Sequence, residues 1–252
     1  MNIVTDPSAW QQIRKSFNTK SIGFVPTMGH LHAGHQHLYE RSLAENEITV
    51  ASLFINPTQF NQESDYANYP RTIEHDCEIL AALNVDYVFM PETKAMYPDD
   101  YQFKIEETQL SKELEGEFRP GHFTGMLTIV LKLLNLIQPT RAYFGEKDFQ
   151  QLLLIKKMVS ALFIPVDIIA CETVRAPDGL ALSSRNSRLN EKQRKLAASF
   201  PEILQRTKTP QEATEQLHLK GFKVEYVTEK WGRRLAAIWL DDVRLIDNIG
   251  IP

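Results

Sequence analysis

The sequence predicts an α/β fold, with a Rossmann-like doubly wound parallel sheet and a second, smaller α+β domain at the C-terminal end. Short apolar runs alternate with runs of helical spacing from residue 21 to about 172, which is the pattern of successive βαβ units. The run at 48–55 is almost wholly apolar, as in a parallel strand covered on both faces. Alternating apolar and polar side chains at 222–228 predict an antiparallel sheet in the second domain. We therefore place the two domains at 1–173 and 174–252.

Each predicted element rests on its hydrophobic spacing and on the residues that end it. Pro26 and Gly29 stop the first strand, and Pro139 ends a strongly apolar helix. The predicted strands of the first domain are 21–26, 48–55, 85–90, 141–144 and 166–171, and its predicted helices are one that starts at 31 and those at 70–83, 125–137 and 150–162.

In the second domain, Asn190 is expected to be the N-cap residue of a helix. The polar segment 207–216 is predicted to form turns. Besides 222–228, short strands are expected at 234–240 and 243–246. Together these elements predict a small sheet with at least one helix beside it.

The composition argues against several functional classes. The 252 residues carry a formal net charge of −4, which disfavours non-specific binding to nucleic acid or to an anionic membrane. No apolar run reaches the ~18 to 20 residues that cross a bilayer, and the first ten residues lack the basic and apolar regions of a signal peptide. We therefore expect a cytoplasmic protein. Cys77 and Cys171 are far apart in apolar patterns and are predicted to be buried free thiols.

A segment rich in glycine and histidine follows the first predicted strand. Helical spacing begins at Leu31, which places His32 and His35 on the first turn of a helix. A helix N-terminus offers unpaired N–H groups, and Gly34 lets a polyphosphate approach the backbone. Imidazoles can donate to phosphate oxygens that gain charge as a leaving group departs. A zinc or nickel site and plain surface histidines are the alternatives, since four histidines occur here: His30, His32, His35 and His37.

Polar side chains also follow the second and fourth predicted strands. Asn56 and Gln59 lie in a proline-set turn and offer amide groups to a small substrate with hydroxyls and a carboxylate. The alternative is an ordinary Asn-Pro turn. Gly145 permits close approach, Lys147 supplies a charge for phosphate, and Asp148 can bind a ribose hydroxyl or orient the lysine. The alternative is a solvated helix start.

Two more segments bring basic side chains. Residues 182–186 follow a tight turn at 178–179, and their hydroxyls and guanidinium can close over a triphosphate from a flexible loop; the alternative is a polar interdomain linker. Arg119 and His122 lie in a loop before the apolar helix. Because the motifs cluster at strand ends, one cleft would gather them. They include neither a cysteine nucleophile nor a Gly-x-Ser-x-Gly elbow, so they indicate in-line nucleotidyl transfer.

These motifs resemble those of one known family. They are Pro26-Thr27-Met28-Gly29 with His32 and His35, Asn56-Pro57-Thr58-Gln59-Phe60, Arg119-Pro120-Gly121-His122-Phe123, Gly145-Glu146-Lys147-Asp148-Phe149-Gln150-Gln151, Asp178-Gly179-Leu180-Ala181-Leu182-Ser183-Ser184-Arg185-Asn186 and Arg244-Leu245-Ile246-Asp247-Asn248. In these segments the chain is similar to the pantothenate synthetases, of the nucleotidyltransferase superfamily with the His-x-Gly-His signature. It departs from that family's usual pattern at His30 and Ala33, where Ala and Glu are common, and in a shorter second domain between Arg206 and Val224.

The resemblance implies a reaction in two steps. ATP and pantoate would give pantoyl adenylate and pyrophosphate, and β-alanine would then attack the acyl group to release pantothenate and AMP. The resemblance also implies Mg²⁺ on the phosphates, with no protein ligand assigned, a homodimer, and a C-terminal domain that acts as a lid. The partners would be these small molecules, with neither nucleic acid nor a membrane.

The resemblance also implies roles for individual residues. The catalytic groups would be His35, as proton donor, His32, Lys147 and Arg185. The pantoate-binding residues would be Gln59, which would also border the β-alanine site, and Gln151, with Asn56 and Arg119 as further substrate contacts. The ATP-binding residues would be Met28, Gly29, His30, Leu31, His32, Ala33, Gly34, His35, Gly145, Glu146, Lys147, Asp148, Val174, Leu182, Ser183, Ser184 and Arg185.

Two rival functions belong to other classes. A nucleotidylyltransferase that transfers AMP or CMP to a phosphorylated acceptor would share the first histidine motif, but the segments 56–60 and 119–123 argue against it. A catalytically silent nucleotide- or metal-binding module would keep the same fold, although His35, Lys147 and Arg185 argue against it. Release of pyrophosphate that depends on pantoate distinguishes the ligase from both rivals.

Overall fold

The computed structural model describes residues 1–61 and 63–251, which divide into two compact units. Unit 1 consists of Met1–Leu31, His35–Phe144 and Gln150–Cys171. Unit 2 consists of two short segments, His32–Gly34 and Gly145–Phe149, and of the chain from Glu172 onward. Unit 2 therefore includes two pieces of the sequence that precede its main part.

Unit 1 is built on a parallel sheet, as the sequence predicts, but the sheet has six strands where five were predicted. Its strands are β1 (Asn2–Val4), β2 (Ile22–Thr27), β3 (Ile48–Leu53), β4 (Tyr87–Phe89), β5 (Arg141–Gly145) and β6 (Asp167–Cys171). The strand order is β1-β4-β3-β2-β5-β6, so the chain winds outward from β2 in both directions, as in a doubly wound sheet. Every residue of β3 is buried, including the polar Thr49 and Ser52, as expected for an inner parallel strand that is covered on both faces.

Helices connect these strands, and the four predicted ones are confirmed. The helices are α1 (Pro7–Ser16), α2 (Ala33–Glu45), α3 (Glu63–Ala67), α4 (Ile73–Ala82), α5 (Thr93–Met96), α6 (Glu115–Phe118), α7 (His122–Ile137) and α8 (Phe149–Ala161). α7 is the apolar helix of the sequence and is buried over most of its length. No helix in the described part of the chain is long and apolar enough to cross a membrane.

The first strand and helix are absent from the sequence prediction. β1 has three residues, of which only Val4 is buried, and α1 buries only Trp10, so neither shows a clear hydrophobic pattern. A capping signal was nevertheless present. Asp6 accepts a hydrogen bond from the N–H of Ala9, and Pro7 occupies the first turn, both typical of a helix N-terminus.

Unit 2 contains the predicted antiparallel sheet. Its strands are β7 (Lys223–Lys230), β8 (Arg233–Leu240) and β9 (Val243–Gly250), in that order in the sheet, and its helices are α9 (Glu191–Ala197), α10 (Ser199–Arg206) and α11 (Pro210–Leu219). A hydrophobic core that includes Phe200, Leu217 and Ile238, all fully buried, lies between sheet and helices. Asn190 caps α9 as predicted, and the Asn190–Gln193 pair forms a capping box.

Several local predictions from the sequence require correction. His122, expected in a loop before the apolar helix, is the first residue of α7, and β2 continues through Pro26 to Thr27. The segment predicted as turns at 207–216 contains most of α11, whose N-cap Thr209 accepts a hydrogen bond from the N–H of Glu212 at 3.2 Å. Its few buried side chains are spaced too sparsely to show a helical period. Cys77 is half-buried instead of buried, whereas Cys171 is buried, and both are free thiols. The loop expected at 182–186 is also more regular than predicted, as described below.

Candidate active site

A buried carboxylate holds the loop that follows β2. Asp76, in the first turn of α4, is 1% exposed, and it accepts hydrogen bonds from the backbone N–H groups of His30 at 2.9 Å and Leu31 at 2.7 Å. The hydroxyl of Thr72 donates to the same carboxylate at 3.1 Å. Gly29, with φ +85°, forms the turn into the loop. Sequence reasoning missed Asp76, for which the available signal was an acidic residue on the apolar face of a helix.

The two histidines of the first motif lie in different local structures. His35 is in the first turn of α2 as predicted, but His32 precedes the helix, so that part of the prediction is wrong. The N–H of Gly34 donates to Nδ1 of His32 at 3.1 Å, which leaves the ring proton on Nε2 and makes that atom a donor. In the described part of the chain no group of three or more His, Cys, Asp or Glu side chains is placed to hold a metal ion.

The side chain of Asn56 is buried in a network of hydrogen bonds within unit 1. Its Nδ2 donates to Oε1 of Gln59 and to the carbonyl of Gly125, both at 3.2 Å. Its Oδ1 accepts from the hydroxyl of Tyr97 at 2.7 Å and from that of Thr58 at 3.1 Å. Burial raises the pKa of Tyr97 to about 12, so its hydroxyl stays protonated and remains a donor. This geometry gives Asn56 a positioning role toward Gln59, and its direct contact with a substrate stays a prediction.

Gln59 ends a short 3-10 helix, Pro57–Gln59, that packs closely against α7. A Cβ atom added to Gly125 would lie 2.2 Å from the carbonyl oxygen of Thr58 and 2.7 Å from the nitrogen of Gln59. Only glycine permits such an approach of two backbones. Gln59 is 9% exposed, and its Nε2 lies 2.9 Å from Sδ of Met28. Packing and hydrogen bonds therefore fix both the backbone and the side-chain amide of Gln59.

Arg119 and His122 extend this network. Nδ1 of His122 lies 2.8 Å from the carbonyl oxygen of Gln59, and its Nε2 lies 3.0 Å from Nη1 of Arg119. A carbonyl only accepts and a guanidinium only donates, so this geometry requires a neutral imidazole with its proton on Nδ1. Arg119 also lies 3.9 Å from the carboxylate of Glu115. The predicted cation of this loop is therefore held beside the segment that carries Gln59.

The two adjacent glutamines of α8 lie in different environments. Gln150 is 3% exposed, and its side chain accepts from the N–H of Glu115 at 3.1 Å. It also donates to the carbonyls of Leu110 at 2.9 Å and Glu113 at 2.7 Å, so it fastens α8 to the segment leading into α6. Gln151 is half-buried. Of the two glutamines, Gln151, the predicted pantoate-binding residue, is therefore the one that is not enclosed by protein.

In unit 2, strand β9 holds the segment that contains the predicted lysine. Nδ2 of Asn248 donates to the backbone carbonyls of Glu146 and Lys147, both at 2.9 Å. The carboxylate of Glu146 forms an ion pair with Arg233. This ion pair helps to hold the segment that contains Lys147. Lys147 is half-buried and Asp148 is exposed. The structure thus anchors the backbone on either side of the lysine side chain.

The segment rich in serine and arginine is a 3-10 helix, Ser184–Arg188, and not the flexible loop that the sequence predicts. Oγ of Ser183 caps it by accepting a hydrogen bond from the N–H of Arg185 at 3.3 Å, which leaves the hydroxyl hydrogen of Ser183 unused by the cap. The preceding tight turn is confirmed, since Gly179 has φ +85° and its N–H donates to the carbonyl of Ala176 at 2.8 Å. The candidate residues here are all half-buried: Val174, Leu182, Ser183, Ser184 and Arg185.

Strand β9 also anchors the turn before this 3-10 helix. Asp247 is 2% exposed and forms two parallel hydrogen bonds with Arg175, at 2.7 and 2.9 Å. Bidentate pairs of this kind fix orientation as well as distance. The hydrogen bonds to Asp247 raise the pKa of Arg175. Adjacent residues of one strand, Asp247 and Asn248, therefore hold two separate candidate phosphate-binding segments.

Comparison with known proteins is consistent across sequence and structure. The family model described as Pantoate-beta-alanine ligase matches residues 2–250. The chain is 52% identical over 242 residues to the pantothenate synthetase of Coxiella burnetii, which covers 96% of this chain and 94% of that protein. It is 49% identical over 249 residues to the pantothenate synthetase of Legionella pneumophila, with 98% and 99% covered.

Two solved structures also superpose closely. The pantoate-beta-alanine ligase of Francisella tularensis, complexed with beta-gamma ATP and beta-alanine, has a TM-score of 0.95 at 43% identity, with 99% of this chain and 97% of that chain covered. The pantothenate synthetase of Thermus thermophilus has a TM-score of 0.91 at 38% identity, with 99% of each covered. The superpositions therefore cover both compact units of this chain almost completely. The chain belongs to the pantoate-beta-alanine ligase family.

Proposed function

We propose that this chain condenses (R)-pantoate with β-alanine to form pantothenate, with ATP converted to AMP and pyrophosphate. The observation that carries the proposal is the family match over residues 2–250, together with a relative complexed with beta-gamma ATP and beta-alanine at 43% identity. The local chemistry agrees. The candidate segments supply imidazole, ammonium, guanidinium and amide groups, which suit a reaction that needs positioning and charge neutralisation.

Two displacements make up the reaction. In the first, a carboxylate oxygen of pantoate attacks the α-phosphorus of ATP, the bond from that phosphorus to the bridging oxygen breaks, and pyrophosphate leaves. In the second, the amine of β-alanine attacks the acyl carbon of pantoyl adenylate, the acyl–oxygen bond breaks, and AMP leaves as the nitrogen loses a proton. Because both nucleophiles come from the substrates, the protein needs no nucleophilic side chain of its own.

In the first motif, we assign the catalytic work to His32 and His35. The Nε2–H of His32 would donate to a phosphate oxygen, and His35, in the first turn of α2, would donate a proton to the departing pyrophosphate. The backbone of the loop would approach the nucleotide, as glycine-rich turns before a helix do in other nucleotide sites. The remaining ATP-binding residues proposed for this motif are Met28, Gly29, His30, Leu31, Ala33 and Gly34.

In unit 2, we assign charge neutralisation to Lys147 and Arg185. Both are held on anchored backbone, and Ser183 would add its unused hydroxyl hydrogen as a donor to phosphate. Charge-assisted hydrogen bonds to oxygens that become more negative stabilise the transition state more than the ground state. The other proposed ATP contacts of this unit are Gly145, Glu146, Asp148, Val174, Leu182 and Ser184.

Pantoate would be bound by the amides of Gln59 and Gln151, with Gln59 also bordering β-alanine. The rigid hold on Gln59 supports this role, because an amide that is fixed in advance loses little entropy on binding. Asn56 would act through Gln59, and Arg119 would contribute a positive charge near the pantoate carboxylate.

The remaining proposals concern partners and setting. Mg²⁺ would enter with ATP as a phosphate partner, where it would neutralise charge on the phosphate oxygens, and we assign it no protein ligand. We further propose a cytoplasmic homodimer whose C-terminal domain, 174–252, serves as a lid. Family resemblance supports the dimer and the lid.

Pyrophosphate release tests the function. Purified protein is given ATP, Mg²⁺ and pantoate, with and without β-alanine, while pyrophosphate, AMP and pantothenate are followed together. We expect release that depends on pantoate, with pantothenate and free AMP formed only after β-alanine is added. Release without pantoate would indicate another acceptor, as in the rival nucleotidylyltransferase. No release with any acceptor, despite ATP binding, would indicate the silent nucleotide-binding module.

A further inference from the structure

The carboxylate of Asp76 and the loop after β2 satisfy each other's hydrogen-bonding needs. Asp76 is 1% exposed, and burying a carboxylate is costly unless donors surround it. The donors are the N–H groups of His30 and Leu31, at 2.9 and 2.7 Å, and the hydroxyl of Thr72 at 3.1 Å. A loop conformation that withdrew the two N–H groups would leave a buried charge poorly satisfied. The arrangement therefore favours one loop conformation strongly over others.

The backbone of the loop shows what the carboxylate has to maintain. His30 has φ +53°, a left-handed conformation that costs a non-glycine residue free energy. The N–H of this same residue donates to Asp76, so the hydrogen bond supports the strained position directly. A Cβ atom on Gly29 would lie 2.9 Å from Oδ2 of Asp76, so glycine is required there by the carboxylate as well as by φ +85°.

We propose that Asp76 is a positioning residue for ATP, which acts by fixing the backbone of residues 28–31 in the conformation that receives the nucleotide. The inference rests on the proposed function, because that function assigns this loop to ATP. Asp76 is buried and bonded to the loop, so its effect on ATP would be transmitted through the loop backbone. A loop already held in its binding conformation spares ATP the cost of ordering it, and the apparent affinity falls in proportion when the competent fraction falls.

The test compares Asp76→Asn with a matched control. An asparagine amide in place of the carboxylate directs an N–H₂ group at one of the loop N–H donors. We expect KM for ATP to rise roughly tenfold or more, the loss typical of a hydrogen bond to a charged group, with a smaller change in kcat. The Kd for pantoate, measured by calorimetry, should stay within about twofold. Amide hydrogen exchange at residues 30 and 31 should accelerate.

The control is Asp86→Asn. Asp86 also accepts a backbone hydrogen bond, from the N–H of Thr49 at 2.8 Å, but near the amino end of β3. The Asp86→Asn substitution should lower the melting temperature without changing KM for ATP. Thr72→Val provides a milder variant, because it removes one donor and leaves the carboxylate in place, and it should shift KM for ATP in the same direction as Asp76→Asn by a smaller factor.

The outcomes separate this inference from the proposed function. Unchanged KM for ATP and unchanged exchange at residues 30 and 31 in Asp76→Asn would overturn the inference while leaving the function intact. An equal rise in KM for ATP in Asp86→Asn would overturn it too, because the effect would then follow from general destabilisation. If the parent protein binds a non-hydrolysable ATP analogue but releases no pyrophosphate with pantoate, the function fails, and weaker analogue binding in Asp76→Asn would still support the inference. No analogue binding by the parent would overturn both.

Discussion

Replacement of Gly125 by alanine should weaken pantoate binding without touching a polar group of the site. The new Cβ atom would lie 2.2 Å from the carbonyl oxygen of Thr58, whereas ordinary contact begins at 3.4 Å, so the two backbones must separate by 3.4 − 2.2 = 1.2 Å. The carbonyl of Gly125 is also an acceptor for Asn56. Both the segment 57–59 and the amide that steadies Gln59 would therefore move.

A displacement of this size has two measurable effects. Overpacking of this kind typically costs about 1 to 3 kcal/mol in the free energy of unfolding, which thermal or denaturant unfolding would detect. Misplacement of a substrate-binding group by about 1 Å can cost up to roughly 100-fold in rate. We expect the loss to fall mainly on KM and Kd for pantoate, because Gln59 is assigned to pantoate, with KM for ATP changing little.

Gly250→Ala is the matched control. Gly250 has no heavy atom within 4 Å of an added Cβ, so alanine there should leave stability and kinetics close to those of the parent. Steady-state kinetics with each substrate varied in turn, and calorimetry with pantoate alone, complete the comparison. A Gly125→Ala protein with the parent's KM for pantoate and the parent's melting temperature would refute the argument from backbone contact.

Three further changes test other parts of the site and fold. His35→Ala should abolish pyrophosphate release with little loss of stability, because a half-buried side chain contributes little packing; activity equal to the parent's would remove its assigned role. Lys147→Ala should lose activity while keeping pantoate affinity, and calorimetry that showed pantoate binding lost as well would contradict this. Asp178 has its pKa lowered by the hydrogen bonds of Arg194, so it stabilises the fold above its unfolded pKa and loses that contribution as pH falls through its folded pKa. Asp178→Asn should therefore be less stable than the parent at neutral pH and equal to it in acid, and a stability difference that persisted in acid would argue against the pair.

The parallel sheet could be predicted because burial on both faces leaves a direct trace in sequence. β3 is mostly apolar, with only Thr49 and Ser52 polar, and β2 ends at Thr27, two residues before Gly29. α11 could not be predicted in the same way, because it buries only Ala213 and Leu217, while most of its other side chains are polar and its last apolar residue, Leu219, is exposed. Its N-cap Thr209 followed by Pro210 was the usable signal. For a helix that buries few side chains, the residues at its N-cap therefore indicate its position better than the spacing of its hydrophobic residues does.

The motifs of the site could be found from sequence, but the way they are supported could not. In the sequence, Asn56 and Gln59 look equivalent, since both are amides in one turn. The structure distinguishes them: Asn56 is buried and makes four side-chain hydrogen bonds, which suits a positioning role, whereas Gln59 is the residue proposed to bind substrate. Asp76 lies more than 40 residues from the loop it holds. Pairings of that range depend on the strand order of the sheet, which one sequence does not specify. The start of α2, one residue after His32, was likewise set by local geometry.

The two adjacent anchoring residues on β9 constrain the order in which parts of the protein can reach their final structure during synthesis. Asp247 and Asn248 lie 72 and 102 residues downstream of Arg175 and Glu146, which they hold. Both candidate phosphate-binding segments are therefore synthesised well before the strand that anchors them. The strands of unit 1 can pair while the chain is still being synthesised. The segment around Lys147 and the turn at Gly179, in contrast, become fixed only after β9 has been synthesised. A nascent chain that stopped before β9 would contain every side chain proposed as catalytic, but it would lack the hydrogen bonds that fix two of the segments carrying them.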